Sequence, residues 1–429
     1  MIKKRIAFHT LGCKLNYSET SFLSQNIDKE KFTEVPFGSE ADIYVINTCT
    51  VTATAEKKCR QIASKIKNRN PEAKVIFMGC YSELKHLELE NFDGVDVIIG
   101  GPNKPQLLDV LNDDSYFDTK SSLIDPNSRE EFFSTWSSGE RTRSFLKIQD
   151  GCDYHCSYCA VALARGDSRS DSIENVVKNV KTIAKEGIKE IILTGVNIGD
   201  FGRKNGESFY ELLVELDKVE EMDRIRISSI EPNLLTDEII ELVSKSKRIM
   251  PHFHIPLQSA KSEILKMMKR RYNVELFTNR IKTIKELIPH ACIAIDLICG
   301  FPGETDDFFE ESFDYLNELP ISYLHVFTYS LRPDTPAEMM KNHVPERSKK
   351  ERSSRLHKLS DKKKLAFYKQ FIGKEMDVLF ESTNSKGFIE GFTGNYIRVK
   401  TEFDPELINN IVKVNLKEID KDGNVLGEV

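Results

Sequence analysis

The residues best able to do chemistry in this 429-residue chain are cysteines, and three of them share one stretch, Gly151-Cys152-Asp153-Tyr154-His155-Cys156-Ser157-Tyr158-Cys159. Cys152, Cys156 and Cys159 are spaced C-x3-C-x2-C and can converge on one cluster of iron and sulfide, because thiolates are the usual ligands of such clusters. Three ligands on a four-iron cube leave one iron open, and a reaction would occur there. The same thiolates with His155 would also suit zinc. Structural zinc sites are usually closed by four ligands in two pairs, however, and no second pair lies nearby.

A second set is spread over the first 80 residues, where three apolar runs each end in a cysteine. Ile6–Thr10 leads to Cys13, Ile43–Thr48 to Cys49, and Val75–Met78 to Cys80. A fourth run, Val95–Ile99, ends at Gly100-Gly101. Short β-branched runs separated by helix-length segments read as buried parallel strands of an α/β layer. Ligands of open parallel sheets bind beyond the carboxyl ends of the strands. Cys13, Cys49 and Cys80 are therefore expected to gather at one edge as a second three-thiolate site. Cys59 lies within a helical stretch and reads as structural, and Cys292 and Cys299 as packing residues.

The elements that must hold these sites divide the chain into 1–112, an open parallel α/β domain; 113–139, a polar linker or lid; 140–371; and 372–429. In the third segment strands and helices alternate. The strands are expected at Phe145–Gln149, Glu190–Thr194, Arg224–Ser228, His252–Leu257, Cys292–Ile298 and Tyr323–Tyr329. Polar groups stand at their carboxyl ends: Thr194 and Asn197, Ser229 and Glu231, Gln258, the turn Gly300-Phe301-Pro302-Gly303-Glu304, and Tyr329 with Arg332. They suit either a bound ligand or the capping of the helices that follow. From Gly373 the chain turns to short alternating strands.

The net charge of −6 gives no global signal for nucleic acid, so any such case rests on local patches. The densest patch lies in 341–369 and includes Lys349, Lys350, Arg352 and Lys362. A second is Lys266, Lys269, Arg270 and Arg271. Nine cysteines without a signal peptide suit a reducing cytoplasm, and no stretch is long enough to span a bilayer.

The C-x3-C-x2-C loop, with Tyr158 before its last cysteine, resembles that of the radical S-adenosylmethionine (SAM) enzymes. The segments Thr10–Thr20, Asn47–Val51 and Met78–Tyr81 resemble the N-terminal domain of the methylthiotransferases, and together the likeness covers nearly the whole chain. It implies a central partial (β/α)6 barrel, a C-terminal RNA-binding β-barrel of the TRAM type, and two 4Fe-4S clusters. The cluster on Cys152, Cys156 and Cys159 would reduce SAM to methionine and a 5′-deoxyadenosyl radical. The cluster on Cys13, Cys49 and Cys80 would carry a sulfur that a second SAM methylates. SAM would be held by Tyr158, Thr194, Asn197, Ser229, Glu231, Gln258, Gly300, Pro302 and Tyr329.

The expected partners are the tRNA anticodon stem-loop and an electron donor such as flavodoxin or ferredoxin. Arg165, Arg169, Lys349, Lys350, Arg352 and Lys362 are the candidate RNA contacts. Gly12-Cys13-Lys14-Leu15-Asn16 is most similar to the branch acting on threonylcarbamoyladenosine; the other branches act on isopentenyladenosine or on a ribosomal-protein aspartate. The chain departs from the family at 160–166, where the proline usual after the third cysteine is missing. From another class, a non-catalytic RNA-binding protein with structural metal fits the same cysteines.

Overall fold

The computed structural model describes residues 3–50, 52–125, 131–139, 142–385 and 387–429. Part of the expected linker (126–130) and Val51 of the second cysteine segment lie outside these residues.

The apolar runs near the start form a six-stranded parallel sheet. Its strands are β1 (Lys4–Thr10), β2 (Phe32–Glu34), β3 (Ile43–Thr48), β4 (Lys74–Gly79), β5 (Val97–Ile99) and β6 (Ser121–Leu123), in the order β2-β1-β3-β4-β5-β6. Every residue of β3 is buried, as expected of a strand covered on both faces. Helix α1 (Lys14–Gln25) follows β1, α2 (Ala53–Arg69) follows β3, and the short α3 (Cys80–Leu84) follows β4.

The stretch expected as a linker adds a strand to each side: β6 joins the first sheet, while β7 (Thr135–Trp136) pairs antiparallel with β8 (Arg143–Lys147). The short β9 (Gln149–Asp150) and β10 (Arg169–Ser170) pair with each other and bracket the cysteine loop. The central strands β11 (Glu190–Thr194), β12 (Arg224–Ile227), β13 (His252–Gln258), β14 (Cys292–Cys299) and β15 (Tyr323–Thr328) run parallel to β8. A parallel bridge between Ser229 and His254 joins β12 to β13. Six parallel strands thus curve into a partial barrel whose outer face packs on helices through one large apolar core. The six expected strands are all present.

The last five strands are β16 (Glu375–Ser385), β17 (Phe388–Thr393), β18 (Arg398–Glu402), β19 (Ile411–Ile419) and β20 (Val425–Glu428). They close into a barrel in the order β16-β17-β18-β20-β19. This small barrel docks at the amino-terminal end of the central one. Tyr396 stacks on His252 with centroids 4.3 Å apart, and Arg226 lies 4.8 Å from the Tyr396 ring. Arg226 also holds Glu190 at 2.9 Å and donates to the Gly394 carbonyl at 3.0 Å.

The N-terminal sheet is fastened to the central barrel by a buried charge cluster. Glu19, on the inner face of α1, accepts from Lys147 at 2.8 Å and from Arg165 at 3.2 Å, and also pairs with Lys104. Asp150 takes Lys147 at 2.7 Å and Arg165 at 2.8 Å. Buried charges are tolerable only when matched, and the matching here fixes one cysteine set relative to the other. Among the described residues, no helix is long and apolar enough to cross a membrane.

Candidate active site between the two cysteine triads

Each of the N-terminal cysteines follows the carboxyl end of a strand, as the sequence predicts. Cys13 caps α1 just beyond β1, Cys49 directly follows β3, and Cys80 opens α3 at the end of β4. Gly12 adopts φ +101°, and a Cβ there would lie 2.9 Å from the sulfur of Cys49, so only glycine allows this approach. Asn16 ties the turn by donating to the carbonyls of Leu11 (2.9 Å) and Thr48 (3.1 Å). Burial pushes the Cys80 thiol above its ordinary value; the cations of Arg165 and Lys104 oppose that shift, and neighbouring Cys13 adds to it.

The central loop is shaped by Gly151 at φ +68°, where a Cβ would come within 1.9 Å of the Asp167 carbonyl oxygen. Backbone N–H groups of Tyr154 and Val161 point at the sulfurs of Cys152 (3.3 Å) and Cys159 (3.4 Å). Burial, then the neighbouring thiols, pushes Cys152 up to about 12, and Cys159 likewise to about 11. Thiols so crowded and desolvated ionise together only when a cation binds them.

Among the described residues, the set His254, Asp296 and His325 brings three candidate ligand atoms within 4.8 Å of one another, and no cysteine triad does. The cysteine triads are thus more open than a single small ion requires, and His155 is exposed. The donors and their spacing fit a cluster of iron and sulfide better than zinc.

The expected SAM residues surround this loop unevenly. Asn197 is 3 % exposed, and neither its side-chain oxygen nor its nitrogen has a hydrogen-bond partner. Buried amides are rarely left so, so Asn197 fits a missing polar ligand. The Tyr329 hydroxyl is likewise buried and unpartnered. Gln258 ends β13 with φ +65° and lines the cavity described below. Thr194 uses its hydroxyl to reach the Leu146 carbonyl at 3.0 Å, and Ser229 pairs through its backbone with His254. The Gly300 N–H donates to Glu304 at 3.1 Å, and Pro302 is buried. Tyr158 and Tyr329 flank buried Phe301, with ring centroids 6.3 and 5.4 Å from it.

Glu231 is held by Arg270, and burial keeps its carboxyl above its ordinary value despite that cation. Arg270 itself is a correction to the expected surface patch: its side chain is 4 % exposed and donates to the Cys156 sulfur at 3.1 Å.

Four of the expected RNA contacts are also placed otherwise. Arg165 is buried in the charge cluster, reaching Asn16 at 2.6 Å. Arg169 donates to the Arg165 carbonyl at 2.8 Å and to Asp150 at 3.2 Å. Lys349 is buried against Tyr329, 5.4 Å from the ring centroid, and Arg352 grips Glu304 at 2.6 Å and Asp306 at 2.6 Å. One face of the helix Glu346–Lys369 therefore clamps the Gly300–Glu304 turn. A run of cations in sequence does not reveal which of them find partners. Lys350 and Lys362 remain exposed.

One cysteine of each triad, Cys80 and Cys159, lines a cavity of about 380 Å³. Cys80 and Thr50 line it from the N-terminal sheet, Tyr158 and Cys159 from the central loop, and Gln258, Asp296 and Phe327 from the barrel strands. Arg332 latches the two sides by donating to Thr50 at 2.9 Å and pairing with Glu56.

A partial barrel of six parallel strands carrying a C-x3-C-x2-C loop defines a radical SAM enzyme, and residues 146–316 match the radical SAM superfamily. Residues 5–100 match the family described as uncharacterized protein family UPF0004. The threonylcarbamoyladenosine tRNA methylthiotransferase MtaB of Bacillus subtilis (strain 168) is 37 % identical over 96 % of this chain and 93 % of its own. Its counterpart from Aquifex aeolicus (strain VF5) is 38 % identical over 96 % and 99 %. The tRNA-2-methylthio-N(6)-dimethylallyladenosine synthase of Acetivibrio thermocellus is 31 % identical over 97 % and 89 %. The chain belongs to the radical SAM tRNA methylthiotransferases, enzymes that use SAM and 4Fe-4S clusters. In fold it is similar to the radical SAM methyltransferase TsrM from Kitasatospora setae, with TM-score 0.56 and 14 % identity over 79 % of this chain and 77 % of that one.

Proposed function

We propose that this enzyme methylthiolates carbon 2 of threonylcarbamoyladenosine beside the anticodon of tRNA, with one 4Fe-4S cluster on Cys152, Cys156 and Cys159 and a second on Cys13, Cys49 and Cys80. The observation that carries this reading is the single cavity with Cys80 in one wall and Cys159 in the other. A radical made at one triad and a sulfur held at the other could reach the same substrate carbon only if one space serves both. The identities favour the threonylcarbamoyl substrate: 37 % and 38 % to relatives named for it, against 31 % and 32 % to two named for dimethylallyladenosine.

When bound, the clusters and SAM supply the electron, the 5′-deoxyadenosyl radical and the sulfur. The chain's own residues position and shield. Asn197 offers an unpartnered amide to a polar ligand, and Arg270 sets positive charge beside Cys156. Phe301, Tyr158 and Tyr329 form an aromatic wall. Such a wall keeps water from a reactive carbon centre. Lys350 and Lys362 meet RNA phosphates, and a flavodoxin or ferredoxin delivers the electron in the cytoplasm.

Nucleoside mass spectrometry of tRNA from a deletion strain tests the substrate. Loss of 2-methylthio-threonylcarbamoyladenosine is expected; if that product persists while the isopentenyl product vanishes, the substrate is the other adenosine. Anaerobic purification should yield about eight iron per chain, and zinc alone would sink the two-cluster assignment.

A further inference from the structure

The last three strands of the partial barrel, β13, β14 and β15, run parallel as neighbours. Along them Phe253, Ile255, Ile295, Leu297 and Leu324 point outward into the large apolar core. Successive residues of a strand face opposite sides, so His254, Asp296 and His325 point inward. Asp296 and His325 are direct partners across β14 and β15. His254 Nε2 lies 2.7 Å from Asp296 Oδ1, and the rings of His254 and His325 have centroids 5.0 Å apart.

One ligand atom from each of the three residues falls within 4.8 Å of the others. Two imidazoles and a carboxylate are a donor set for zinc, iron(II) and their first-row neighbours. Ligand atoms on one such ion stand about 3–4 Å apart. Closing the set therefore asks for a side-chain adjustment, and His325, being exposed, has room to make it. A plain hydrogen-bonded pair would account for His254 and Asp296. It does not account for His325, a third donor at the same level on the edge strand.

The set also stands where an ion has both access and an open side. Asp296 lines the cavity that touches Cys80 and Cys159. His325 lines a second hollow of about 500 Å³ among β15, the helix Glu346–Lys369 and the small barrel. Val326 and Phe327 border both. Three protein ligands leave coordination positions open on an ion, and the Asp296 side gives onto the cavity.

We propose that His254, Asp296 and His325 form a metal site distinct from both cysteine triads, which binds one divalent first-row transition-metal ion at the wall of the active cavity. Its open positions take oxygen donors that enter from the cavity. The site depends neither on the cysteines nor on which adenosine is the substrate.

The test dialyses the reconstituted holoenzyme, its cysteines taken up by the clusters, against micromolar free zinc. Bound zinc is counted by mass spectrometry, and X-ray absorption at the zinc edge reads the neighbouring atoms. The wild type should hold about one zinc per chain, with a nitrogen and oxygen shell at about 2.0–2.1 Å and no sulfur shell at about 2.3 Å. His325→Ala should weaken zinc binding by at least roughly 10- to 100-fold, the effect of losing a partner outside the ligand shell. Asp296→Asn should weaken it as well. Circular dichroism and iron content establish that each variant is folded and loaded, and His254→Gln replaces His325→Ala if that variant fails this check. A wild type that takes up no zinc would reduce His254 and Asp296 to a hydrogen-bonded pair and overturn the site. A sulfur shell would put the ion on a cysteine triad and overturn it too, as would full affinity in the histidine variant.

Discussion

Arg270 donates from Nη1 to the Cys156 sulfur at 3.1 Å, and the same guanidinium holds the Glu231 carboxylate. One side chain therefore joins the cysteine loop to the end of β12. A fixed cation beside a thiolate favours its ionised form, and hydrogen bonds to cluster sulfurs are one of the means by which a protein tunes a cluster's potential. Burial raises the Glu231 carboxyl, and the Arg270 cation opposes that shift.

Arg270→Ala should accordingly do two separable things. It strands Glu231 in a buried site, where removing one partner of an ion pair costs about 3–5 kcal/mol, readable as a lower urea midpoint of the apoprotein. It also withdraws the hydrogen bond from Cys156, so the midpoint potential of the reconstituted central cluster should shift. Arg270→Lys keeps the charge but not the fork and should fall between. An unchanged potential in Arg270→Ala would limit the residue to a structural role.

Gly151→Ala tests how closely the loop is folded on itself. The positive φ alone costs an alanine about 1–2 kcal/mol, and its methyl would meet the Asp167 carbonyl oxygen at 1.9 Å. The obstacle is backbone, so no side chain can move aside. Iron retained after anaerobic reconstitution should drop by about half, the share of one of two clusters, with the N-terminal cluster's signal kept. Full iron content would mean that the loop can re-form with φ at that position changed.

Much of this arrangement was legible in the sequence. Strands buried on both faces leave continuous apolar runs, so β3 and β4 could be drawn with a cysteine beyond each carboxyl end, and the six barrel strands likewise; β1, only partly buried, was marked by its shorter apolar run before Cys13. Pairing was not legible. Arg165, Arg270 and Arg352 look in sequence like exposed cations, yet each is buried against a carboxylate supplied from elsewhere in the chain; Lys349 is buried over the Tyr329 ring and pairs with Glu346 on its own helix. Glu19 gave one local hint: it lies three residues after Asn16 on the inner face of a short helix, where an acid without a partner would be costly. Naming Lys104, Lys147 and Arg165 as its partners required the fold.

Glu19→Gln should loosen the joint between the N-terminal sheet and the barrel, since it leaves the surrounding cations without one of their two buried carboxylates. Limited proteolysis should then cut within 113–139 faster than in the wild type. The cations of Arg165, Lys104 and Lys147 outweigh burial and hold the Glu19 carboxyl well below its ordinary value of 4.5. A lowered carboxyl contributes stability in full above that ordinary value and loses it as pH falls toward the folded-state value. Wild-type stability should therefore decline between about pH 5 and pH 3, and Glu19→Gln should flatten part of that slope. Parallel curves for the two proteins would show that Glu19 does not drive the acid transition.

The two triads can be assigned separate tasks by removing one ligand from each. Cys152 sits in the loop with Tyr158 and beside the unpartnered Asn197 strand end, so Cys152→Ala should abolish reductive cleavage of SAM, measured as 5′-deoxyadenosine by chromatography. Cys13 belongs to the N-terminal triad, at the start of α1. Cys13→Ala should keep 5′-deoxyadenosine formation within about threefold of wild type, a change of less than 1 kcal/mol in barrier, while methylthio product falls below detection. Electron paramagnetic resonance of the reduced proteins supplies a readout independent of turnover, since each variant should lose the signal of its own cluster and keep the other. Product formed at the wild-type rate by Cys13→Ala would remove the N-terminal triad from sulfur insertion, and the cavity it shares with Cys159 would need another explanation.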